Sequence, residues 1–567
     1  MVLLDAFVPN TNPLGAQWLS ALVAALPIVA MLVTLGALRW KAHLAGAFSW
    51  VVATVIALTA FRMPASMALA TSLHGFIYGI FPIVWILLTA IWMYEVTVVS
   101  GRFDDLRRTF YLISDDPRVL GLLIAFCFGG LLEALAGFGA PVAITAAMLV
   151  AIGFGPLRAA LVALLANTVP VAFGVVGLPV LMAAKAGGFE DVLAISPITG
   201  RITAILCLVV PFLMLAMMDG VKGVKEVWPF GLVVAASFGV TKWIVSATNL
   251  YNLTEVFASV VSVGVAIVFL RFWKPRGGKA AFERVARPIE PSIERDLPAP
   301  SSANPTGAVA LRPSQIVMAL FPYILVIVVF AIAAIPAVKG ALVATDIKVA
   351  WPLLGDMMDP AGGHAAHQTY TFAWASTPGI LLALVAIAVG LTYRMSLGRI
   401  FGVLIATAKK LRFAALTIGA VVALAFVMGD SGQTLALGLF IATAGAAYPF
   451  FAPVLGWLGT YVTGSDTSAN ILFSGLQSGV GRQIGGGTSH LGVEHMRALL
   501  VGSSAAGGVV GKMISPQSLA IAATAIGLAG SESVILRRIL LWSLVLLALL
   551  CVLSGLMSMP ILSWLLP

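Results

Sequence analysis

Residues 460–471 read TYVTGSDTSANI, and this polar stretch interrupts a segment that is otherwise apolar. It aligns with EALAGFGAPVAI at 133–144, so that Gly464 matches Gly137. Flanking segments align in the same order, although few residues are identical. Self-similarity that keeps its order along the chain indicates an internal repeat. We therefore expect two halves built on the same plan, each with an interrupted segment.

The composition is that of a protein that crosses a membrane many times. Of 567 residues, 60% are hydrophobic and only 10% are charged, whereas a soluble domain usually has about 25% charged residues. Apolar runs of about 20 residues, the length of a transmembrane helix, recur from 17–38 to 540–556. The predicted fold class is therefore an all-α integral membrane protein in a lipid bilayer.

The basic residues predict the orientation of the chain. Lysine and arginine cluster at 101–118, 274–312 and 394–412, and such clusters stay on the cytoplasmic side. With all three inside, both termini are external and the chain forms about 12 transmembrane helices. The same retention explains the net charge of +10 and predicts no nucleic-acid partner.

The orientation also divides the chain into units. The Pro- and Ser-rich stretch 274–312 has the composition of a disordered cytoplasmic linker between an N-terminal unit, 1–273, and a C-terminal unit, 313–567. Corresponding spans of the two units run in opposite directions, which predicts two inverted-topology repeats, the architecture of many secondary transporters. The alternative is a chance likeness between helices rich in glycine and alanine.

A metal site is not expected. The external loop before 376–393 contains Asp356, Asp359, His364 and His367, but their spacing matches no usual metal site. The three cysteines all lie inside apolar stretches, so neither a disulfide nor a metal cluster is predicted.

Two pairs of segments have interrupted apolar patterns. The first pair, 119–154 and 450–480, has apolar arms of about 15–18 residues, short enough for re-entrant hairpins with tips at mid-membrane. The second pair is 157–181 and 497–528, each broken by turn- or cap-forming residues. Helix N-termini at such breaks offer N–H donors and a partial positive charge to an anion. We expect the four broken elements to converge on one cavity.

Three ionisable residues lie at these breaks: Glu133, Asp466 and Lys512. Placing a charged group inside a membrane costs free energy, so such a residue is first considered as a functional one. Lys512 is predicted to attract a substrate carboxylate as a point charge, while a proton on Glu133 or Asp466 would remove their repulsion of an anion. This predicts proton–anion symport. The alternatives are capping for Asp466, a structural partner for Glu133, and snorkelling or a structural ion pair for Lys512.

The candidate site consists of the polar residues and glycines at the four breaks. The predicted substrate-binding residues are Lys512, Ser465, Thr467, Ser468, Asn470, Ser515, Gln517, Gly137, Gly139, Asn167 and Thr168. The predicted proton-coupling residues are Asp466, which we favour, and Glu133.

Other functions remain as alternatives. Sodium coupling would use oxygen ligands such as those of Ser468 and Asn470 at the hairpin tips. A membrane-embedded enzyme needs a nucleophile, a metal cluster or a phosphate-binding loop near one membrane face. The sequence has none, so no catalytic residue and no cofactor are predicted. A channel is disfavoured because broken, inverted hairpins indicate alternating access.

The motifs at the breaks resemble those of the bacterial lactate permease family. The matching stretches are GFGAPVAI at 137–144, GSDTSANILFSGLQ at 464–477 and SPQSLAIA at 515–522, and the likeness covers essentially the whole chain. The resemblance implies proton-driven uptake of L-lactate, D-lactate or glycolate across the inner (cytoplasmic) membrane of a bacterium by a multi-pass protein. The preferred substrate and enantiomer are left open, and so is a homodimer.

Overall fold

Long helices dominate the fold of this chain. A computed structural model describes residues 7–34, 38, 40–103, 105, 113–135, 137, 139–294, 312–355, 357–358, 368–487, 490–528 and 531–567. The helices before the linker region are α1 Gln17–Leu32, α2 Ala42–Thr59, α3 Ala65–Tyr78, α4 Trp85–Val99, α5 Pro117–Leu135, α6 Ala140–Ala151, α7 Pro156–Ala166, α8 Gly174–Ala186, α9 Ser196–Val245 and α10 Thr254–Phe272. α9 bends at Asp219-Gly220, where the backbone leaves the helical conformation.

The second half has the same helical character with one small sheet among the described residues. Its elements are α11 Gly278–Ala286, α12 Pro291–Glu294, α13 Pro313–Ala334, α14 Pro336–Val343, β1 Ile347–Ala350, β2 Thr369–Phe372, α15 Pro378–Thr392, α16 Leu397–Asp430, α17 Gln433–Ile441, α18 Ala452–Thr463, α19 Asp466–Gly485, α20 Val493–Lys512, α21 Pro516–Ala525 and α22 Glu532–Met557.

The lengths of the helices confirm a multi-pass membrane protein. Within the described ranges, nine helices are long and apolar enough to cross a bilayer, or up to ten if the bent pair around 167–170 counts as one span. Four shorter apolar helices, in α1, α2, α6 and α15, fall below that length. The total of about 12 spans stays a prediction.

The helices at the interrupted segments end where the sequence places the breaks. α18 ends at Thr463 and α19 begins at Asp466, with Gly464 between them at φ 71°. Gly139, at φ 85°, precedes α6. α6 and α18 have 12 residues each, a rise of about 18 Å, which is too short for a hydrocarbon core of about 30 Å. α5 and α19, with 19 and 20 residues, are longer than the predicted arms and reach that thickness.

The broken elements of the two halves pack crosswise. α8 packs against α19, and α6 packs against α21. In both contacts the second arm of an interrupted segment from one half meets the second part of a broken helix from the other half. The four breaks are thereby brought to the same region of the protein.

The linker region differs from the prediction of disorder. α11 and α12 are ordered, because Arg284 of α11 pairs with a carboxylate at the bend of α9 and Glu294 of α12 accepts a hydrogen bond from the backbone N–H of Leu157 at the start of α7. Arg284 pairs with Asp219 at 2.5 Å, and Asp219 also pairs with the fully buried Arg118 at 3.0 Å. The hydrogen bond to Asp219 raises the pKa of Arg284. The prediction is wrong for 278–294, whereas 295–311 lie outside the described residues.

The loop that the sequence predicts to be external also contains structure that an all-α prediction misses. β1 and β2 form an antiparallel pair in which Ile347 lies opposite Phe372. Trp351, directly after β1, stacks on the imidazole of His74 with ring centroids 4.4 Å apart. The pairing depends on contacts with α3 that are distant in sequence. Asp356, Asp359, His364 and His367 lie outside the described residues.

Candidate functional site

A small cavity lies where the breaks meet. Its lining residues are Glu133, Val171, Gly174, Val175, Pro179, Gly464, Ser465, Asp466, Thr467 and Lys512. It offers about 20 Å³ to the centre of a water molecule, little more than one water requires. An organic anion would therefore have to displace side chains that now contact one another.

Lys512 and Glu133 form a buried ion pair at this cavity. Lys512 Nζ lies 2.6 Å from Glu133 Oε1, and the two residues are 6% and 2% exposed. The other carboxylate oxygen of Glu133 accepts a hydrogen bond from Asn167 Nδ2 at 2.9 Å. Each oxygen of Glu133 is thus engaged, and the ammonium of Lys512 is held by a carboxylate from the other half of the chain.

The carboxylate of Asp466 makes fewer hydrogen bonds than that of Glu133. One carboxylate oxygen accepts a long hydrogen bond from Thr460 Oγ1 at 3.4 Å, and the other is buried without a hydrogen-bond partner in the described part of the chain. The helix cap is the neighbouring Ser465, whose hydroxyl accepts from the backbone N–H of Ser468 at 3.3 Å. The capping role that the sequence offered for Asp466 therefore belongs to Ser465.

Three glycines on α20 bring Lys512 and Asp466 together. A Cβ on Gly507 or Gly511 would lie 2.0 Å or 2.2 Å from a carbonyl oxygen of α18, and one on Gly508 would lie 1.9 Å from Asp466 Oδ1. Small residues of this kind let helix backbones approach closely inside membranes. These three glycines form a stripe that lets α20 pack directly against α18. The packing fixes the position of Lys512, the last residue of α20.

One part of the cavity wall is a left-handed turn at the start of α8. Val175, Val176 and Gly177 all have positive φ, at 46°, 57° and 72°. β-branched residues rarely adopt this conformation, and strained backbone clusters at functional sites. A Cβ on Gly137 would lie 2.5 Å from the Val175 side chain, so the tip of one interrupted segment closes on this turn.

Several predicted residues do not line the cavity themselves and make hydrogen bonds around it. Asn470 Nδ2 donates to the carbonyl of Pro179 at 3.1 Å, and Thr168 Oγ1 donates to Leu164 at 3.3 Å. Ser515 caps α21 by accepting from the N–H of Ser518.

Two more predicted residues lie at the tips. A Cβ on Gly139 would contact Ile521 at 2.3 Å, and a Cβ on Gly464 would contact Gln517 Oε1 at 2.4 Å. Gly139 and Gln517 therefore help to close the tips of the interrupted segments. Of the predicted residues, Lys512, Glu133, Asp466, Ser465 and Thr467 line the cavity.

Sequence reasoning missed a second buried ion pair close to this site. Lys242 and Glu255 are both fully buried, with Nζ and Oε1 2.5 Å apart. Each lies near the end of an apolar helix, where a charged residue is easily assigned to the loop at 246–253. The sequence did contain a signal for this pair. Two ionisable residues lie on neighbouring spans, close to the short loop that joins them.

Metal ligands are not grouped in the described ranges. No three histidine, cysteine, aspartate or glutamate side chains there are close enough to hold an ion together.

Comparisons with known proteins identify the family. The family model of L-lactate permease matches residues 20–561. The chain is 40% identical to the glycolate permease GlcA of Escherichia coli K12, over 94% of each chain. It is 37% identical to the L-lactate permeases of Salmonella typhimurium and Bacillus subtilis, over 98% of this chain and 99% of theirs.

A solved structure, that of the Alcanivorax borkumensis YdaH transporter, aligns with 87% of this chain and 88% of its own at 16% identity and a TM-score of 0.40. The relatives named above are permeases, which confirms a transporter over an enzyme. Since the family model and these relatives cover nearly the whole chain, the protein belongs to the L-lactate permease family.

Proposed function

We propose that this protein imports lactate or glycolate with protons across the inner membrane of a bacterium. The names of the relatives support a short 2-hydroxy monocarboxylate as substrate. The observation that carries the proposal is the Lys512–Glu133 pair at the cavity, with Asp466 beside it. One cation and two carboxylates at a small buried site couple the binding of an anion to the binding of protons.

Lys512 is the proposed partner of the substrate carboxylate. It is the one cationic side chain among the described residues that line the cavity. The ammonium of Lys512 already pairs with the Glu133 carboxylate at 2.6 Å, so an incoming carboxylate competes with Glu133 for it. When a proton neutralises Glu133, its attraction for Lys512 falls and the substrate takes its place.

Charge balance explains why protons must accompany the anion. With lactate bound, three carboxylates would share one ammonium if both Glu133 and Asp466 were ionised. Uncompensated charge in a low-dielectric interior is costly. Both acids must therefore be neutral when the substrate pairs with Lys512. Asp466, with one unpartnered oxygen, is the proposed carrier of the coupling proton, and Glu133 exchanges its proton as Lys512 changes partner.

The proposed scaffold has two inverted repeats, 1–273 and 313–567, joined by a cytoplasmic segment at 274–312. The interrupted segments 119–154 and 450–480 act as re-entrant hairpins within them. The crosswise packing of α8 on α19 and of α6 on α21 supports this, as do the short arms α6 and α18. Alternating access would then move one pair of broken elements against the other.

The test is uptake into proteoliposomes. Labelled lactate and glycolate are offered in sodium-free buffer, with and without an imposed proton gradient. We expect accumulation above equilibrium only with the gradient. Accumulation that requires a sodium gradient instead would contradict proton coupling, and saturable uptake of neither anion would contradict the substrate class.

A further inference from the structure

The second ion pair, Lys242–Glu255, contacts the link between α7 and α8. Lys242 Nζ donates to the carbonyl of Val169 at 2.7 Å and lies over the Phe173 ring at 5.3 Å from its centroid. Val169 belongs to the non-helical link between α7 and α8, where a carbonyl needs a donor from elsewhere. Asn167, two residues earlier, donates to Glu133. The two ion pairs therefore contact the same link, one through the carbonyl of Val169 and the other through the side chain of Asn167.

The carboxylate of Glu255 is only half satisfied. Its Oε1 binds Lys242, but Oε2 is buried and has no hydrogen-bond partner within the described ranges. The Cys207 thiol, Lys242 and, across the link, Glu133 are the titratable groups that interact with it electrostatically. A buried carboxylate oxygen with no donor is expensive in a membrane interior, so a proton or water must satisfy it.

Glu255 is part of a polar stripe on the buried face of α10. Glu255, Ser259 and Ser262 follow one another at intervals of three or four residues, which places them on one face of α10, and Asn252 continues this spacing in the turn just before the helix. The side-chain oxygens of Asn252 and Ser259, like Glu255 Oε2, are buried without a partner in the described part of the chain. Ser262 Oγ accepts a hydrogen bond from Ser237 Oγ at 3.1 Å. Three unpartnered acceptors along one face suit a file of water molecules.

We propose that Lys242 and Glu255 form a second proton-exchanging site, which water reaches along this stripe and which delivers protons to the Glu133–Lys512 pair. Asn252 lies in the turn before α10, on the side of the helix away from the linker, so with the linker in the cytoplasm the stripe opens toward the external side. A proton binds Glu255 Oε2 and weakens the ion pair between Glu255 and Lys242. It then crosses the link at 167–169 to Glu133. This inference rests on the proposed proton coupling.

Two variants test it together. Glu255→Gln keeps the shape but cannot exchange a proton, so accumulation driven by a proton gradient should be lost while lactate-for-lactate exchange continues. Glu255→Asp should restore part of the accumulation, which a merely structural role would not predict. Ser259→Ala removes an unpartnered hydroxyl, a change that is neutral or stabilising for folding. It should nevertheless slow gradient-driven uptake, because Ser259 lies one turn from Glu255 on the same helix face and would hold a water molecule beside Glu255 Oε2.

A matched control is available in α2. Ser49 is also a fully buried hydroxyl without a partner in the described residues, and Ser49→Ala should change neither uptake nor exchange. If Glu255→Gln and Ser259→Ala respond to the proton gradient as the parent does, this inference is wrong. Loss of exchange in Glu255→Gln equal to its loss of accumulation would show a structural role only. If the parent itself ignores the gradient, the proposed function has failed instead.

Discussion

Replacing Lys512 by methionine keeps the bulk of the side chain and removes its charge. The pair it forms with Glu133 is 2.6 Å long and both side chains are almost fully buried. Breaking a buried ion pair by removing one partner typically costs about 3–5 kcal/mol. If the substrate carboxylate makes an equivalent pair, lactate binding should weaken by roughly two to four orders of magnitude, at about 1.4 kcal/mol for each factor of ten.

Calorimetric titration of the purified protein with lactate measures this loss, and a thermal unfolding curve measures stability in the same sample. Removing Lys512 alone leaves Glu133 buried without its cation, so Lys512→Met should also lower the melting temperature. The double variant Lys512→Met with Glu133→Gln removes both charges. It should recover stability without recovering lactate binding, since no cation remains for the carboxylate.

A control lysine shows what an exposed pair contributes. Lys410 pairs with Glu95 at 2.8 Å, but its side chain is 65% exposed, and such pairs contribute about 0–1 kcal/mol. Lys410→Met should leave binding unchanged. The reasoning is refuted if Lys512→Met binds lactate as tightly as the parent, or if binding returns in the double variant, because Lys512 would then serve only to hold Glu133.

Four further variants have distinct expected outcomes. Asp466→Asn mimics the protonated acid, so uphill uptake in a proton gradient should vanish while exchange of labelled for unlabelled lactate survives; Glu133→Gln in the same assay ranks the two acids, and gradient-driven accumulation by both variants would exclude them as proton carriers. Gly508→Ala places a Cβ 1.9 Å from Asp466 Oδ1, and overpacking should lower stability by about 1–3 kcal/mol, measured by thermal unfolding; an unchanged melting temperature would show that α20 can shift. Arg284→Ala removes one partner of Asp219 at a partly exposed position, so stability should fall by about 1 kcal/mol or less while limited proteolysis within 278–294 becomes faster; an unchanged cleavage rate would contradict the role of this pair in ordering the segment.

The sequence by itself determined the features that depend on neighbouring residues. Membrane insertion follows from the number and length of apolar runs, and helix termini follow from local caps. Ser465 and Ser515 begin helices because each hydroxyl accepts a hydrogen bond from an N–H three residues later. Gly464 ends α18 because its positive φ suits glycine. The ionisable residues at these breaks were visible because charge is rare in a membrane.

Only the tertiary structure decided which of these groups meet. Glu133 and Lys512 are separated by 379 positions, and their pairing depends on the crosswise packing of the two halves and on the glycine stripe of α20. Lys242 and Glu255 face each other because α9 and α10 pack side by side. The order of α11 likewise comes from charges on α5 and α9. Local propensity cannot specify such contacts, because they form only when distant segments bury their surfaces against one another.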